Sequence, residues 1–260
     1  MINWAVLKDY CMFNSTNDWR VYLHNLGVDS RIINQLSIRD IPKMNLYWNS
    51  TGNYIEPKVR YLFIPFWLQL FYSHSKIHLN TILGNESLVL LEQILHLTEL
   101  EERDLISFME CSKKCSEIPM IKSNLIKNPS VKNTIEKLID VFPEYKSLRR
   151  GNFIFYYFAL FYTDQEIEKL KITIKLLTDL LVCGCMLDDL FDAKDDAENN
   201  EDNIINELGG KVESLGIAKS IFDESKSRIS QYLPKLQNEL DTLFYRCTFK
   251  FIRNEYAAIK

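Results

Sequence analysis

From Gln165 to Asp196 the chain runs for 32 residues without a proline and with one glycine, Gly184. Its apolar positions Ile167, Leu170, Ile174, Leu177, Leu181 and Leu187 follow helical spacing. A helix of that length spans about 48 Å at 1.5 Å per residue, which is long enough to run through the centre of a bundle. The rest of the chain agrees. Only 8 Gly and 7 Pro punctuate 260 residues, and no pair of β-branched runs is joined by a two-residue turn. The expected class is all-α, built as one helical domain of residues 1–260. Residues 1–58, with short segments and the irregular Pro42 to Pro57 stretch, form a cap or entrance segment, and 59–260 form the bundle. Helices are predicted at 59–79, 86–97, 99–115, 117–127, 130–142, 144–163, 165–196 and 211–256, the last broken near Tyr232 or Pro234.

The long run ends in Asp188-Asp189-Leu190-Phe191-Asp192-Ala193-Lys194-Asp195-Asp196. Asp188, Asp192 and Asp196 recur every fourth residue, so three carboxylates stack along one helix face. Like charges so placed repel, and an all-oxygen ligand set suits a hard cation such as Mg²⁺, which is commonly held by one or two carboxylates together with water and substrate phosphates. Residues 188 to 207 carry nine acids against Lys194 alone, so this segment holds a charge of −8 while the whole chain is at −4 and the remainder at +4. Such a concentration repels nucleic acid and attracts divalent cations. The later acids, Glu198 to Glu207, read as a solvated loop.

In spacing and placement DDLFDAKDD resembles the second metal motif of the class I isoprenoid synthases, which reads DDxxDxxxD in prenyl diphosphate synthases and lies on a long helix some 70 to 80 residues before the end of an all-helical domain. The resemblance implies a single-domain antiparallel helical bundle of that type, with Mg²⁺ held by Asp188, Asp192 and Asp196 and an isoprenoid diphosphate as substrate. It implies ionisation of an allylic diphosphate, and the aromatic richness together with the absence after Asp196 of the lysine and glycine-rich continuation usual in chain-elongating synthases favours a terpene synthase, a lyase that then cyclises or eliminates. A prenyl-chain-elongating transferase of the same fold is the second choice. Arginines before the motif and an Arg-Tyr pair near the C-terminus contact diphosphate in the family, which makes Arg149, Arg150, Arg246, Arg253 and Tyr256 the candidate cationic and polar partners here; Lys194, inside the motif, matches no fixed family position but lies within reach of a phosphate.

In the same family aromatic faces line the substrate cavity. The aromatic stretch Phe153 to Tyr162 and the apolar run Tyr61 to Tyr72 supply Phe155, Phe158, Phe66 and Phe71 as candidate pocket residues. Of the family's two metal motifs the chain displays the second only. Glu99 to Asp104, which reads as a solvated helix start, and the pair His74 and His78, which read as helix-end histidines packed on neighbours, are the positional stand-ins for the first. With one motif recognisable, a non-catalytic regulatory subunit of the fold is a further alternative, as is a helical interaction protein whose acidic loop binds a cation. A homodimer or a partner subunit is compatible with any of these.

Six cysteines are present. Cys183 and Cys185, just before Asp188, read as small buried hydrophobes. The N-terminus shows no basic start followed by an apolar core, and the apolar runs of 12 and 10 residues at Tyr61 to Tyr72 and Phe153 to Tyr162 are too short to span a bilayer, so the expected location is cytoplasmic.

Overall fold

A computed structural model describes residues 16–38, 63–102, 104–122, 133–137, 148, 151 and 153–258. Among these the regular elements are helices and no strand occurs. We number them α1 (Thr16–Asn25), α2 (Ser30–Ser37), α3 (Phe63–Ser75), α4 (Leu79–Ile82), α5 (Asn85–Glu102), α6 (Phe108–Lys122), α7 (Phe155–Ala159), α8 (Ile167–Asn199), α9 (Ile204–Glu207), α10 (Ser214–Ser230) and α11 (Leu236–Ala258). A helical turn also covers 133–137. Most of the expected cap, 1–58, lies outside the described residues. No described helix is long and apolar enough to cross a membrane.

The predicted long helix is α8, and its start is set by local chemistry. A capping box at Thr163 and Glu166 opens a short 3₁₀ turn that leads into it, with the Thr163 hydroxyl donating to Glu166 Oε2 at 3.0 Å. This reciprocal bonding satisfies donors that a helix start leaves unpaired. Its end is equally specific. Asn200 adopts a left-handed conformation (φ 57°), and the Glu201 amide donates back to the Asp196 carbonyl at 2.8 Å. Asparagine tolerates that conformation at low cost and closes the helix there.

Between these ends α8 packs against α3, α9, α10 and α11. Every residue from Leu176 to Leu190 is buried, so the one-sided periodicity gives way to a segment covered all round, as expected of a central helix. Asp179, the charge that interrupts the apolar run, is 4% exposed. Arg228 of α10 donates to both its oxygens at 2.6 Å, a bidentate pair in which a buried carboxylate meets a planar guanidinium. Burial nevertheless pushes the Asp179 carboxyl above its usual range more than Arg228 pulls it down. A second polar tie, from Lys226 to Asp223 and to Asp241, links α10 to α11.

Several boundaries move from their predicted places. α3 stops at Ser75 because Lys76 takes a left-handed conformation (φ 59°), so His78 no longer shares a helix with His74. His74 meets Tyr232 at 3.2 Å, packed on a neighbour as expected of a helix-end histidine. The 99–102 segment closes α5 and does not open a helix, and Glu99 and Glu101 are buried, contrary to the solvated helix start expected there. The 144–163 helix is represented among the described residues by the five-residue α7, all of it buried. The break near Pro234 is present, between Ser230 and Leu236. Cys183 and Cys185 are buried and free, as expected of packing residues.

Candidate metal centre at the end of the central helix

The acidic end of α8 presents two faces, which different parts of the chain cover. Asp189, Ala193 and Asp196 lie on one of them by their spacing of four and three. Residues 200–207, expected to be a solvated loop, fold back over this face. Asn203 is 1% exposed and its side-chain amide donates to the Asp189 carbonyl oxygen and to Asp196 Oδ2, both at 2.9 Å. Its carbonyl oxygen caps α9 by accepting from the Ile205 and Asn206 amides. The Ile204 amide donates to Asp189 Oδ2 at 2.6 Å, and Asn206 Nδ2 donates to the Ala193 carbonyl at 2.9 Å. The acids Glu198, Glu201 and Asp202 remain exposed, as predicted.

Asp189 also borders the adjoining face, where one oxygen each of Asp188, Asp189 and Asp192 come within 4.8 Å of one another. This grouping differs from the expected ladder: Asp189 stands beside Asp188 and Asp192, while Asp196 is engaged by Asn203. The reason is the returning loop, which turns the last carboxylate toward its own amide. Asp188 and Asp189 are 4% and 6% exposed and Asp192 is half-buried. The electrostatic consequence falls on Asp192. Its carboxyl is pushed up to about 8, first by burial and then by the neighbouring Asp196 and Asp189.

These residues fit a hard divalent cation. Asp192 Oδ1 is buried with no hydrogen-bond partner, an oxygen that a cation would satisfy. The donor set is all oxygen, and the repulsion that raises Asp192 is what a positive charge relieves. Asp188, Asp189 and Asp192 would hold the ion, with Asp196 beside them.

The remaining predicted site residues are dispersed. Lys194 is exposed and faces Glu198 at 3.8 Å. Arg246 and Arg253 are on exposed positions of α11. Tyr256 is in the last turn of that helix with its side chain outside the described residues, as Arg149 and Arg150 are entirely. Phe66 and Phe71 are on α3, Phe155 and Phe158 on α7. Phe71 and Phe158 are in ring contact, centroids 4.7 Å apart, and both have no exposed surface. Phe155 is 1% and Phe66 6% exposed. A ring bordering a void large enough for a ligand would show surface to it, so these faces are taken up by core packing.

Sequence reasoning passed over Asp189, Asn203 and Lys250. Lys250 of α11 places its ammonium over the ring of Phe191, the residue before Asp192. The second aspartate of the Asp-Asp pair was legible in principle, since it precedes Asp192 by three residues. Asn203 carries the local signal of a cap residue before Ile204 and Ile205, and nothing local marks Lys250.

Comparison with protein-family models, with curated proteins and with solved structures finds no match to this chain.

Proposed function

We propose that the chain is a Mg²⁺-dependent, class I terpene-synthase-like enzyme that ionises an allylic isoprenoid diphosphate and then cyclises or eliminates. The observation that supports this reading is the convergence of Asp188, Asp189 and Asp192 at the end of a central helix, with one Asp192 oxygen buried and unpartnered. When bound, the metal supplies positive charge to a departing diphosphate. Asp192, whose carboxyl is raised to about 8 by burial and by its acidic neighbours, would hold the ion with its unpartnered oxygen. Asn203 orients Asp196 and fixes the helix end, so that the carboxylates are held before a ligand binds. The segment 176–190, buried all round, keeps water from the inner side of the cluster.

A second reading, a non-catalytic member of that fold that binds a metal diphosphate without turning it over, is favoured by a separate observation. The aromatic rings expected around a prenyl tail are buried, Phe71 directly against Phe158. One experiment separates the two. The purified chain is incubated with geranyl, farnesyl and geranylgeranyl diphosphates and Mg²⁺, and pyrophosphate release and extractable hydrocarbon are measured. Product that depends on Mg²⁺ and falls at least a hundredfold in Asp192→Ala supports the enzyme, about 2.7 kcal/mol of transition-state stabilisation. Diphosphate binding without product supports the silent subunit, and absence of both refutes the diphosphate reading.

A further inference from the structure

Helices α1 and α2 form a hairpin whose turn is fixed by local chemistry. Gly27 takes a left-handed conformation (φ 93°), and the Val28 amide donates back to the Leu23 carbonyl at 3.0 Å, so α1 ends in one defined way. Leu23, Ile32 and Leu36 are buried on the inner side. Two polar ties moor the hairpin to the bundle: the Asp29 amide donates to Gln69 Oε1 of α3 at 2.7 Å, and the Tyr22 hydroxyl donates to Glu239 Oε1 of α11 at 2.8 Å. Between the two helices lies a cleft of about 240 Å³. Arg20, Val21 and His24 line it from α1, and Ser30, Ile33 and Asn34 line it from α2, each set repeating at the three and four residues that share a helix face.

Every polar side chain on this lining, a guanidinium, an imidazole, a hydroxyl and a carboxamide, can donate a hydrogen bond, and no carboxylate is among them. Arg20 supplies the fixed charge. Its Nε is buried with no hydrogen-bond partner, a donor cut off from water with nothing to receive it. The neighbouring guanidinium shows the contrast: Arg31 commits Nε and Nη2 to Asp29 at 3.0 and 2.7 Å, which neutralises the acid at the turn. Val21, 58% exposed, and the buried Ile33 add an apolar wall. A guanidinium edge formed by Nε and a terminal nitrogen matches the two oxygens of a carboxylate. One fixed positive charge matches a single negative one, and the volume lies below the roughly 300 Å³ at which ligand pockets ordinarily begin, so the ligand is small. We propose that this cleft binds a small aliphatic monocarboxylate, its carboxylate on Arg20 with support from the Ser30 hydroxyl and the Asn34 amide, and its hydrocarbon part against Val21 and Ile33. The site uses none of the acids of α8 and does not depend on the metal reading.

The test is titration of the isotope-labelled full chain with isovalerate, followed through backbone amide chemical shifts, with isovaleramide and inorganic phosphate as comparison ligands. Isovalerate is expected to shift amides within residues 20–34, with a dissociation constant on the order of 1 mM, the range open to a ligand of that size. Isovaleramide, which lacks the charge, should not bind, and phosphate, which lacks the apolar part, should bind more weakly. Arg20→Gln should weaken isovalerate binding at least about tenfold, as loss of a pair of charge-assisted hydrogen bonds implies. Arg20→Lys keeps the charge without the planar fork and should fall between the two. Val21→Asp changes an exposed position, leaves the core alone, and sets a carboxylate on the wall, so it should abolish binding. No shift with isovalerate, shifts confined to residues outside the hairpin, tighter binding of phosphate than of isovalerate, or full affinity retained in Arg20→Gln, Arg20→Lys or Val21→Asp would each overturn the proposal.

Discussion

Replacing Asn203 with alanine removes the clamp that joins the loop after α8 to the helix, and the geometry allows its cost to be worked through. The side chain caps α9, which is worth about 1 kcal/mol. It donates one hydrogen bond to a buried carbonyl, that of Asp189, for about another 1 kcal/mol. Its bond to the Asp196 carboxylate is of the stronger kind, about 1.5–3 kcal/mol. The three act on one side chain that is 1% exposed, so water cannot replace what is lost. Asn203→Ala should destabilise the fold by about 4 kcal/mol. At roughly 2–4 °C per kcal/mol for a domain of this size, the melting midpoint falls by about 8–16 °C. Urea unfolding read by circular dichroism gives the free energy, and a thermal melt gives the midpoint. Asn203→Asp keeps the cap acceptor but sets a further carboxylate against Asp196, so it should be as destabilised at pH 7.5 and recover as the pH is lowered. An Asn203→Ala variant within about 1 kcal/mol of the unaltered chain would refute the reasoning, because it would mean that the loop does not depend on this side chain.

Asp192 is raised to about 8 in the folded chain against the ordinary carboxylate value of 3.8, so the folded state holds a proton that the unfolded state has released between those values. Its contribution to stability is therefore complete below about pH 4 and is lost as the pH rises through about 8. Asp192→Asn should be stabilised relative to the unaltered chain at pH 8.5, and the gap should shrink by pH 5.5. Melts at both pH values measure it, and equal gaps would remove the electrostatic account. Arg228→Ala strands the buried Asp179 carboxylate and should cost about 3–5 kcal/mol in urea unfolding, while the double change Asp179→Leu with Arg228→Leu recovers most of it. A single variant that costs less than about 1 kcal/mol would show the pair to be incidental.

The helical class and the central helix were readable because both follow from local pattern: scarce breakers, a long apolar period and a polar end. Pro234 marked the break between α10 and α11 for the same reason, since it cannot continue a helix. What escaped was decided by contacts between distant residues. The carboxylate ladder predicted Asp188, Asp192 and Asp196 together, yet Asp196 answers to Asn203 across a turn whose course depends on Asn200 taking a left-handed conformation. His74 and His78 look like one helical turn until Lys76 ends it. Lys250 is one charge among many on α11, and its place over Phe191 follows from how two helices cross. Glu99 and Glu101 look like a wet terminus because acidity is the only local signal available, and their burial comes from neighbours that periodicity does not encode.

The middle of α8 is enclosed by other helices over four successive turns, and the aspartates emerge as soon as that enclosure ends. The backbone beneath them therefore has almost no freedom to bend, so the spacing between these oxygens can change only through side-chain torsions or through movement of residues 200–207. Retuning the site for a larger or smaller ion, by selection or in the laboratory, would be expected to proceed by substitutions in that short return segment, with the rod itself left untouched.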